Sequence, residues 1–276
     1  AIGLVILFLV EQVIMVNDSK KITIEPYQTT MDTINDSSYR SKVLNNKINQ
    51  MTSDKLDPLK RLDYFSFYAL NSPFIYHYNG TSLYSSIFNG QILKYYDKTM
   101  QINMPVDKNS TYRYLGNRAN LMALWNVQDR LRHPNDLNMP YGFKKKNLIK
   151  DGKDQWIHSK NTISYPSAHI THKVYDSNNL KSPLDREQAM LQGVVFDNNT
   201  KSVNTTFSPN KNLLNDAQLQ LKDSQWKKKN QLKVDKNNGG VQLTLPHSLT
   251  KKYKDMYLEM DVELLTPDKE HSIGVN

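Results

Sequence analysis

The longest apolar stretch of the chain lies at its N-terminus. Residues 1–10 carry no charged or polar side chain, and after Glu11 and Gln12 the apolar character resumes over residues 13–16. As a helix, this stretch spans about 24 Å, which is shorter than the roughly 30 Å hydrocarbon core of a bilayer. We therefore predict that residues 1–16 form the end of a transmembrane helix, with a helix buried in a protein core as the alternative.

Helical spacing returns between residues 25 and 53. Leu44, Ile48 and Met51 recur four and three residues apart among polar residues, which predicts an amphipathic helix. Two later helices are expected, one that begins at Ser85 or Ser86 and one that is capped by Asn117.

Two aromatic-rich segments between these helices are typical of strands. They cover residues 59–68 and 74–78, and the turn signal Asn-Ser-Pro at 71–73 separates them. The alternation of helices and strands predicts an α/β layer domain over residues 17–150.

Beyond residue 150 the chain changes to short strand patterns. A capping-box pattern after Pro183 predicts a helix, and the apolar residues of Val194–Phe196 predict a strand. Alternating apolar and polar residues at 241–245 and 256–264 predict half-buried antiparallel strands, and another begins at Ile273 and Val275. The fold class is therefore α+β, with residues 151–276 as a β-rich domain, similar to a sandwich or jelly roll, that is incomplete at its C-terminus.

Composition narrows the function classes only in part. The 276 residues are 38% hydrophobic, which predicts that most of the chain is a water-soluble globule with a hydrophobic core. The absence of cysteine excludes disulfides and thiolate nucleophiles. Thirty-six basic against 27 acidic side chains give a net charge of +9. This charge favours anionic partners, namely nucleic acid, anionic lipid or a phosphate-bearing polymer.

The sequence contains no strong signature of a nucleotide, hydrolase or metal site. It lacks the P-loop, the nucleophile elbow and the dinucleotide fingerprint. His169 and His172, with His158 and Asp154 upstream, could ligate a metal on a helix. The neighbouring residues favour a strand, on which positions three apart point to opposite faces, so we expect no metal site.

Lysine runs could instead bind phosphates or form a solvated face. They lie at 144–146, 227–229 and 251–254. Base-stacking aromatics are not interleaved with them in any nucleic-acid-binding signature, so we do not expect nucleic acid to be the partner.

The segment from Tyr76 to Ser86 has the densest recognition chemistry. Tyrosine rings stack on sugar faces, and asparagine and serine offer donors and acceptors to hydroxyl groups. Tyr78, Asn79, Tyr84 and Ser85 are therefore candidate contacts for a sugar or polymer. A tyrosine-rich edge strand with an Asn-Gly turn is the structural alternative.

The order of several blocks resembles the YfhO family of bacterial multi-spanning membrane glycosyltransferases, in the GT-C superfamily. The blocks are Tyr-Asn-Gly at 78–80, Tyr-Ser-Ser at 84–86, Leu-Gly-Asn-Arg-Ala-Asn-Leu-Met-Ala-Leu at 115–124, Leu-Asp-Arg-Glu-Gln-Ala-Met-Leu at 184–191, Leu-Thr-Leu-Pro at 243–246 and Tyr-Lys-Asp-Met-Tyr-Leu at 253–258. The resemblance covers nearly the whole chain, and none of the blocks is a catalytic signature.

This resemblance implies an intact enzyme that moves a sugar from a polyprenyl-phosphate donor to a cell-surface polymer such as lipoteichoic acid. The chain would lie on the extracellular side of the bacterial cell membrane. In such enzymes the catalytic carboxylate and any divalent metal belong to a membrane portion outside these residues. We therefore assign no catalytic residue, metal ligand or cofactor here, and we expect Asn117 and Arg118 to support the same substrate rim.

Two other functions remain open at this point. A non-enzymatic, membrane-anchored module that binds cell-wall polymer or carbohydrate could be built from the same domain. A basic nucleic-acid-binding protein would require strong, salt-dependent affinity for duplex DNA.

Overall fold

The computed structural model describes most of the chain. The described residues are 2–23, 41–53, 57–64, 71–85, 87, 89–102, 111–112, 115–136, 138–163, 165–197, 203–228, 231–236, 238–253, 255–260, 263 and 265. The chain divides into two compact units, Ala1–Ser208 and Pro209–Asn276.

The first unit mixes helices with short strands, which confirms the α+β class. Its helices are α1 (Ile2–Thr23), α2 (Lys42–Thr52), α3 (Ser72–Tyr76), α4 (Gly90–Lys94), α5 (Ala119–Leu124) and α6 (Pro183–Gln192). Its strands are β1 (Arg61–Tyr64), β2 (Leu83–Tyr84), β3 (Thr111–Tyr112), β4 (Val127–Arg132), β5 (Phe143–Asp151), β6 (Asp154–Asn161), β7 (Val174–Asp176) and β8 (Val194–Phe196).

The largest sheet among the described residues has the order β1-β4-β6-β5. β1 and β4 are parallel, whereas β6 runs antiparallel to both of its neighbours. The pairs β2–β3 and β7–β8 form separate two-stranded ladders. The compact units divide between Ser208 and Pro209. The domain boundary expected after residue 150 lies in the β5–β6 hairpin, and the predicted domain bounds stay a prediction.

The predicted amphipathic helix around Ile48 is confirmed as α2. The Ser41 hydroxyl accepts a hydrogen bond from the Leu44 amide at 2.9 Å and so caps the helix. Leu44 and Ile48 are fully buried, and they pack with Leu62 of β1 and Leu131 of β4. α2 therefore covers one face of the main sheet.

A second apolar cluster surrounds α5. Leu121 and Met122 of this helix are fully buried against Tyr96 and Met100. Tyr96 belongs to a π-helical turn, Tyr95–Thr99, that continues α4. Asn89 caps α4, and Arg118 occupies the N-cap position of α5. The helix predicted to be capped by Ser85 or Ser86 is therefore capped a few residues later, at Asn89, and the helix predicted to be capped by Asn117 is capped one residue later, at Arg118.

The helix start predicted at Pro183 is confirmed as α6, and Ser182 and Asp185 form its capping box. The Ser182 side chain accepts from the Asp185 amide at 3.1 Å, and the Asp185 carboxylate accepts from the Ser182 amide at 3.3 Å. Strand β8 also has the predicted bounds, Val194–Phe196.

The prediction of a strand at 74–78 is wrong. Residues Ser72–Tyr76 form the helix α3, with Pro73 in its first turn. Proline is favoured at this position because the first helical residues need no N–H donor. The turn signal at 71–73 therefore marks the start of a helix.

The second unit contains β9 (Gln218–Lys222), β10 (Ser224–Lys228), β11 (Gln231–Val234), β12 (Gly240–Thr244) and α7 (His247–Lys252). β12 pairs with β9, and β10 pairs with β11, both antiparallel. Strand β12 confirms the alternation read at 241–245. Leu219 and Leu221 lie opposite Leu243 and Val241, and these four apolar side chains share one face of the ladder. They are 37–48% exposed, so the apolar face of the strand is not buried as a half-buried strand would require.

The expected strand at 256–264 is wrong for its described residues, since residues 256–260 have no strand pairing. The strand start at Ile273 and Val275 lies outside the described residues. The described strands of the second unit form two-stranded ladders. The sandwich or jelly-roll architecture of residues 151–276 therefore stays a prediction.

The N-terminal apolar stretch is helical, as α1. Its apolar side chains from Val5 to Val16 are 52–69% exposed. Within the described residues, no helix reaches the combination of length and hydropathy required to cross a membrane. The helix is therefore confirmed, and the membrane span at residues 1–16 is not.

Candidate functional site

A cavity of about 330 Å³ opens in the first unit beside α3. It is lined by Thr52, Pro58, Lys60, Pro73, Phe74, His77, Tyr78 and Asn79. Its volume lies at the small end of the range for ligand pockets. The described lining residues combine aromatic rings with hydroxyl, amide, imidazole and ammonium groups, and none of them carries a carboxylate.

Helix α3 places two exposed side chains at this cavity. The helix ends at His77, which has the left-handed backbone conformation (φ 54°) and donates its amide to the Pro73 carbonyl. Phe74 is 67% exposed. An exposed ring beside an exposed imidazole gives the cavity mouth a stacking surface and a polar partner.

Tyr78 contributes a wall of the cavity rather than an open ring. It is only 8% exposed, and its hydroxyl lies 2.8 Å from the buried Ser72 hydroxyl. Burial raises the pKa of Tyr78 well above its ordinary value, so the phenol stays neutral. The structure therefore corrects the expectation of a tyrosine ring available for stacking, and Phe74 is the exposed ring at this position.

Asn79 ties the cavity to the start of β1. Its side-chain amide donates to the carbonyls of Pro58 and Lys60, at 2.8 and 3.3 Å. The backbone carbonyl of Asn79 accepts a hydrogen bond from the backbone amide of Leu62 at 2.9 Å. Gly80 follows because a Cβ there would lie 2.4 Å from the Pro73 ring. Asn79 thus joins the end of α3 to strand β1, and Gly80 lets the chain pass close to Pro73 of α3.

A hydrogen-bonded chain runs from the cavity across the sheet. Lys60 is 8% exposed, and its ammonium donates to the Met51 carbonyl at 2.6 Å and pairs with Asp129 at 2.7 Å. The other Asp129 oxygen lies 2.8 Å from Nε2 of His158, whose Nδ1 lies 2.8 Å from the Asn147 side-chain oxygen. Burial raises the pKa of Asp129, but its hydrogen bonds with His158 and Lys60 outweigh burial and hold the pKa below its ordinary value.

A second buried charge cluster centres on Asp63, which is fully buried. Arg132 donates to the Asp63 carboxylate at 2.5 Å, and Thr81 donates to its other oxygen at 2.9 Å. Arg130 lies 3.4 Å from the same carboxylate and also donates to the Asn138 carbonyl. These charges are paired, so the cluster stabilises the fold rather than offering a free ligand group.

The other predicted contacts are dispersed. Tyr84 is 46% exposed and its amide donates to the Asn71 side chain at 2.7 Å, while the Ser85 hydroxyl donates to the Ile87 carbonyl at 2.9 Å. Asn117 is exposed. None of the three lines the cavity.

Arg118 does not line the cavity either. Its guanidinium pairs with the buried Glu187 and donates to the Met100 carbonyl at 2.5 Å. The side chain therefore joins α5 to α6, and its support of a substrate rim stays a prediction.

The histidines that were considered as possible metal ligands have separate partners. His158 pairs with Asp129, whereas Nε2 of His169 lies 3.0 Å from the Tyr165 hydroxyl. In the part of the chain that the structure describes, no three histidine or acidic side chains form a metal-binding group.

Sequence reasoning missed Thr52, Lys60, Phe74 and His77 as cavity residues. For Phe74 and His77 a signal existed, because proline after Asn-Ser at 71–72 fits the first turn of a helix. For Lys60 and Thr52 none did, because their approach depends on how α2 packs on the sheet.

The fold and cavity define an α+β protein with a small polar and aromatic pocket, and comparison with known proteins supplies the family. The model of the family described as "Bacterial membrane protein YfhO" matches residues 2–276. The chain therefore belongs to the YfhO family of bacterial membrane proteins.

One curated relative extends this match. The chain is 28% identical over 250 residues to the uncharacterized protein YfhO of Bacillus subtilis (strain 168). The match covers 90% of this chain but 28% of that relative, so the chain spans less than a third of its length. No solved structure matches the chain significantly.

Proposed function

We propose that this chain is the extracellular portion of a membrane glycosyltransferase of the GT-C superfamily. The intact enzyme moves a sugar from a polyprenyl-phosphate donor to an anionic cell-surface polymer such as lipoteichoic acid. Family membership supports the membrane association, and the donor, the acceptor and the extracellular side come from the resemblance described above.

The observation that carries the proposal is the lining of the cavity beside α3. Sugars present apolar ring faces together with hydroxyl groups, so they are bound by aromatic rings next to amide and hydroxyl groups. Phe74 supplies the exposed ring and Thr52 a hydroxyl group, while the amide of Asn79, whose N–H groups already donate to the Pro58 and Lys60 carbonyls, supplies an acceptor oxygen. We assign the cavity to one sugar or polyol unit of the acceptor.

The cavity positions the acceptor and does not perform the chemistry. Glycosyl transfer requires a general base or a stabilising charge near the reacting oxygen. The eight lining residues include no carboxylate, and the Lys60 ammonium is already paired with Asp129. A divalent metal and the catalytic carboxylate would belong to the membrane portion of the enzyme.

The test compares cavity variants with matched variants elsewhere. Cells that lack the gene would receive the wild type, Phe74→Ala, or Phe196→Ala, whose ring is 41% exposed and does not line the cavity. His77→Asn, with His172→Asn as its control, removes an imidazole but retains a residue that tolerates the left-handed conformation. The readout is the number of sugar substituents per glycerol phosphate, measured by NMR of the extracted polymer.

We expect the sugar content of the polymer to fall roughly fivefold in each of the two cavity variants, because each variant should lose about 1 kcal/mol of binding free energy for the acceptor. The two controls should match the wild type, with all proteins present at equal levels in the membrane. Equal sugar content in cavity and control variants would remove the cavity from the proposal.

The aromatic and polar lining of the cavity would equally suit a second candidate, a membrane-anchored module that binds carbohydrate or cell-wall polymer without catalysis. In that case deletion of the gene would leave the sugar content of the polymer unchanged, while the purified protein would still bind the polymer.

A further inference from the structure

The β5–β6 hairpin carries a concentrated positive charge. Residues 143–161, called here the basic hairpin, include six lysines against two aspartates, which gives a net charge of +4 out of +9 for the chain. The lysines are Lys144, Lys145, Lys146, Lys150, Lys153 and Lys160, and all six are exposed.

These lysines differ in their partners from three lysines of the second unit. Lys211, Lys233 and Lys236 each pair with an aspartate at 2.7–3.2 Å. No described carboxylate lies within ion-pair distance of the six hairpin lysines. Of the two hairpin aspartates, Asp151 accepts a 2.5 Å hydrogen bond from Ser41, which directs it to the cap of α2. The described carboxylates therefore leave the positive charge of the hairpin lysines unpaired.

The strand register adds an unfavourable pair. Lys144 of β5 lies directly opposite Lys160 of β6. Like charges at directly opposed positions destabilise a sheet. An anion bound between them would remove this repulsion, so the arrangement favours an anionic ligand.

The lysines lie on both sides of a sheet edge. β5 is the edge strand of the described sheet, and opposed residues of paired strands share a face. By register, Lys144 shares one face with His158, whereas Lys145 and Lys150 belong to the other. Lys146 lies at the bulge between Lys145 and Asn147 and has no partner residue on β6. The charges thus follow a ridge rather than a flat patch.

This shape distinguishes between two anionic partners. A bilayer surface is planar and can contact only one side of such a ridge. A linear polyanion can follow the strand, where residues two apart are separated by about 6.6 Å. Lysines bind phosphate groups of a backbone through such repeated, sequence-independent contacts.

We propose that the basic hairpin binds a linear polymer of repeated phosphodiesters and holds it on the first unit. This inference deepens the proposed function and rests on it for the identity of the acceptor. The hairpin attracts the phosphate backbone by charge, whereas the cavity beside α3 contacts a neutral sugar or polyol unit.

The test measures binding of fluorescently labelled, unsubstituted poly(glycerol phosphate) to the purified protein in neutral detergent. The hairpin variant is K144Q/K145Q/K146Q, and K150Q/K153Q/K160Q is a second variant at other positions of the hairpin. The matched control, K211Q/K233Q/K236Q, removes the same charge from lysines that are already paired. Circular dichroism and urea unfolding check that each variant is folded.

We expect each hairpin variant to weaken binding at least tenfold at 50 mM salt, and the control to change binding less than twofold. Loss of three phosphate contacts should also reduce the salt dependence, by about 2 in the slope of log K against log salt. Equal weakening by the hairpin and control variants would overturn the proposal, because only net charge would then matter.

A lipid arm tests the competing source of phosphate. Neutral vesicles with and without phosphatidylglycerol are compared for wild type and hairpin variants. If the hairpin variants lose binding to the anionic vesicles but not to the polymer, the hairpin contacts lipid and the proposal fails. No sugar donor is present in these assays, so polymer binding can be lost or retained independently of glycosyl transfer.

Discussion

The charged side chains of the main sheet are buried and paired in one half and exposed in the other. At the β1–β4 side, Asp63, Asp129, Arg130 and Arg132 are at most 6% exposed, and each has an ionic partner. At the β5–β6 side, six lysines are exposed without a described carboxylate partner. The comparison teaches that a charge contributes to folding when it is buried and paired, and becomes available to a ligand when it is exposed and unpaired.

The largest expected effect is at the buried side. Replacing Asp63 by alanine removes the carboxylate that Arg132 and Arg130 share, and leaves two guanidinium groups in a buried position. Loss of one partner from a buried pair costs about 3–5 kcal/mol. Urea unfolding of Asp63→Ala should show a decrease of this size, and a decrease below about 1 kcal/mol would contradict the stabilising role of the cluster.

Arg118 tests a second buried pair. Arg118→Ala removes the cation next to Glu187, which is fully buried, while the Arg118 side chain is 15% exposed. We expect the free energy of unfolding to fall by about 3 kcal/mol, at the low end of the range for buried pairs. The double variant Arg118→Met/Glu187→Gln should be more stable than the single variant. A single variant that is fully stable but loses polymer binding would instead identify Arg118 as a substrate contact.

The pH dependence of stability tests the chain that links Lys60, Asp129 and His158. The pKa of Asp129 is lower in the folded protein than its ordinary value of 3.8. The folded state therefore binds fewer protons than the unfolded state, so this contribution is present above pH 3.8 and is lost as the pH falls through the lowered pKa.

Urea midpoints measured from neutral pH down to acid check this expectation. Wild type should lose more stability than Asp129→Asn over the acidic range, because the variant lacks the titrating group. Parallel pH profiles for the two proteins would mean that Asp129 gains nothing from Lys60 and His158.

The smallest effect on stability is expected at the exposed side. K144Q/K145Q/K146Q should unfold at the same urea concentration as wild type, or slightly higher, because Lys144 no longer opposes Lys160. A clear decrease in the midpoint would show that these lysines serve the fold, and the contrast between the two halves of the sheet would not hold.

Local signals in the sequence predicted the elements that depend on local physics. The apolar spacing of Leu44 and Ile48 predicted α2, and the capping-box pattern after Pro183 predicted the start of α6. The pattern at 74–78 misled because an aromatic run suits a strand as well as a short helix, and the proline at its start was read as a turn. The π-helical turn Tyr95–Thr99 has no pattern of its own, because it depends on packing against α5.

The candidate site was predicted only in part, for a physical reason. Asn79 was found because its type and position in a turn suggest recognition, and it does line the cavity. Lys60 and Glu187 were missed because their roles depend on partners 69 residues away in sequence, Asp129 and Arg118. Spacing along the chain carries no information about such pairs. Only the folded structure shows that Arg118 pairs with Glu187, whereas Phe74 lines a cavity.

The most direct test of the central claim is the sugar content of the cell-surface polymer. Poly(glycerol phosphate) would be extracted from cells with the gene, cells without it, and cells in which it is restored, and the glycosyl substituents counted by NMR. The account predicts that the substituents disappear with the gene and return when it is restored. Equal sugar content in all three polymers would contradict a role in glycosyl transfer.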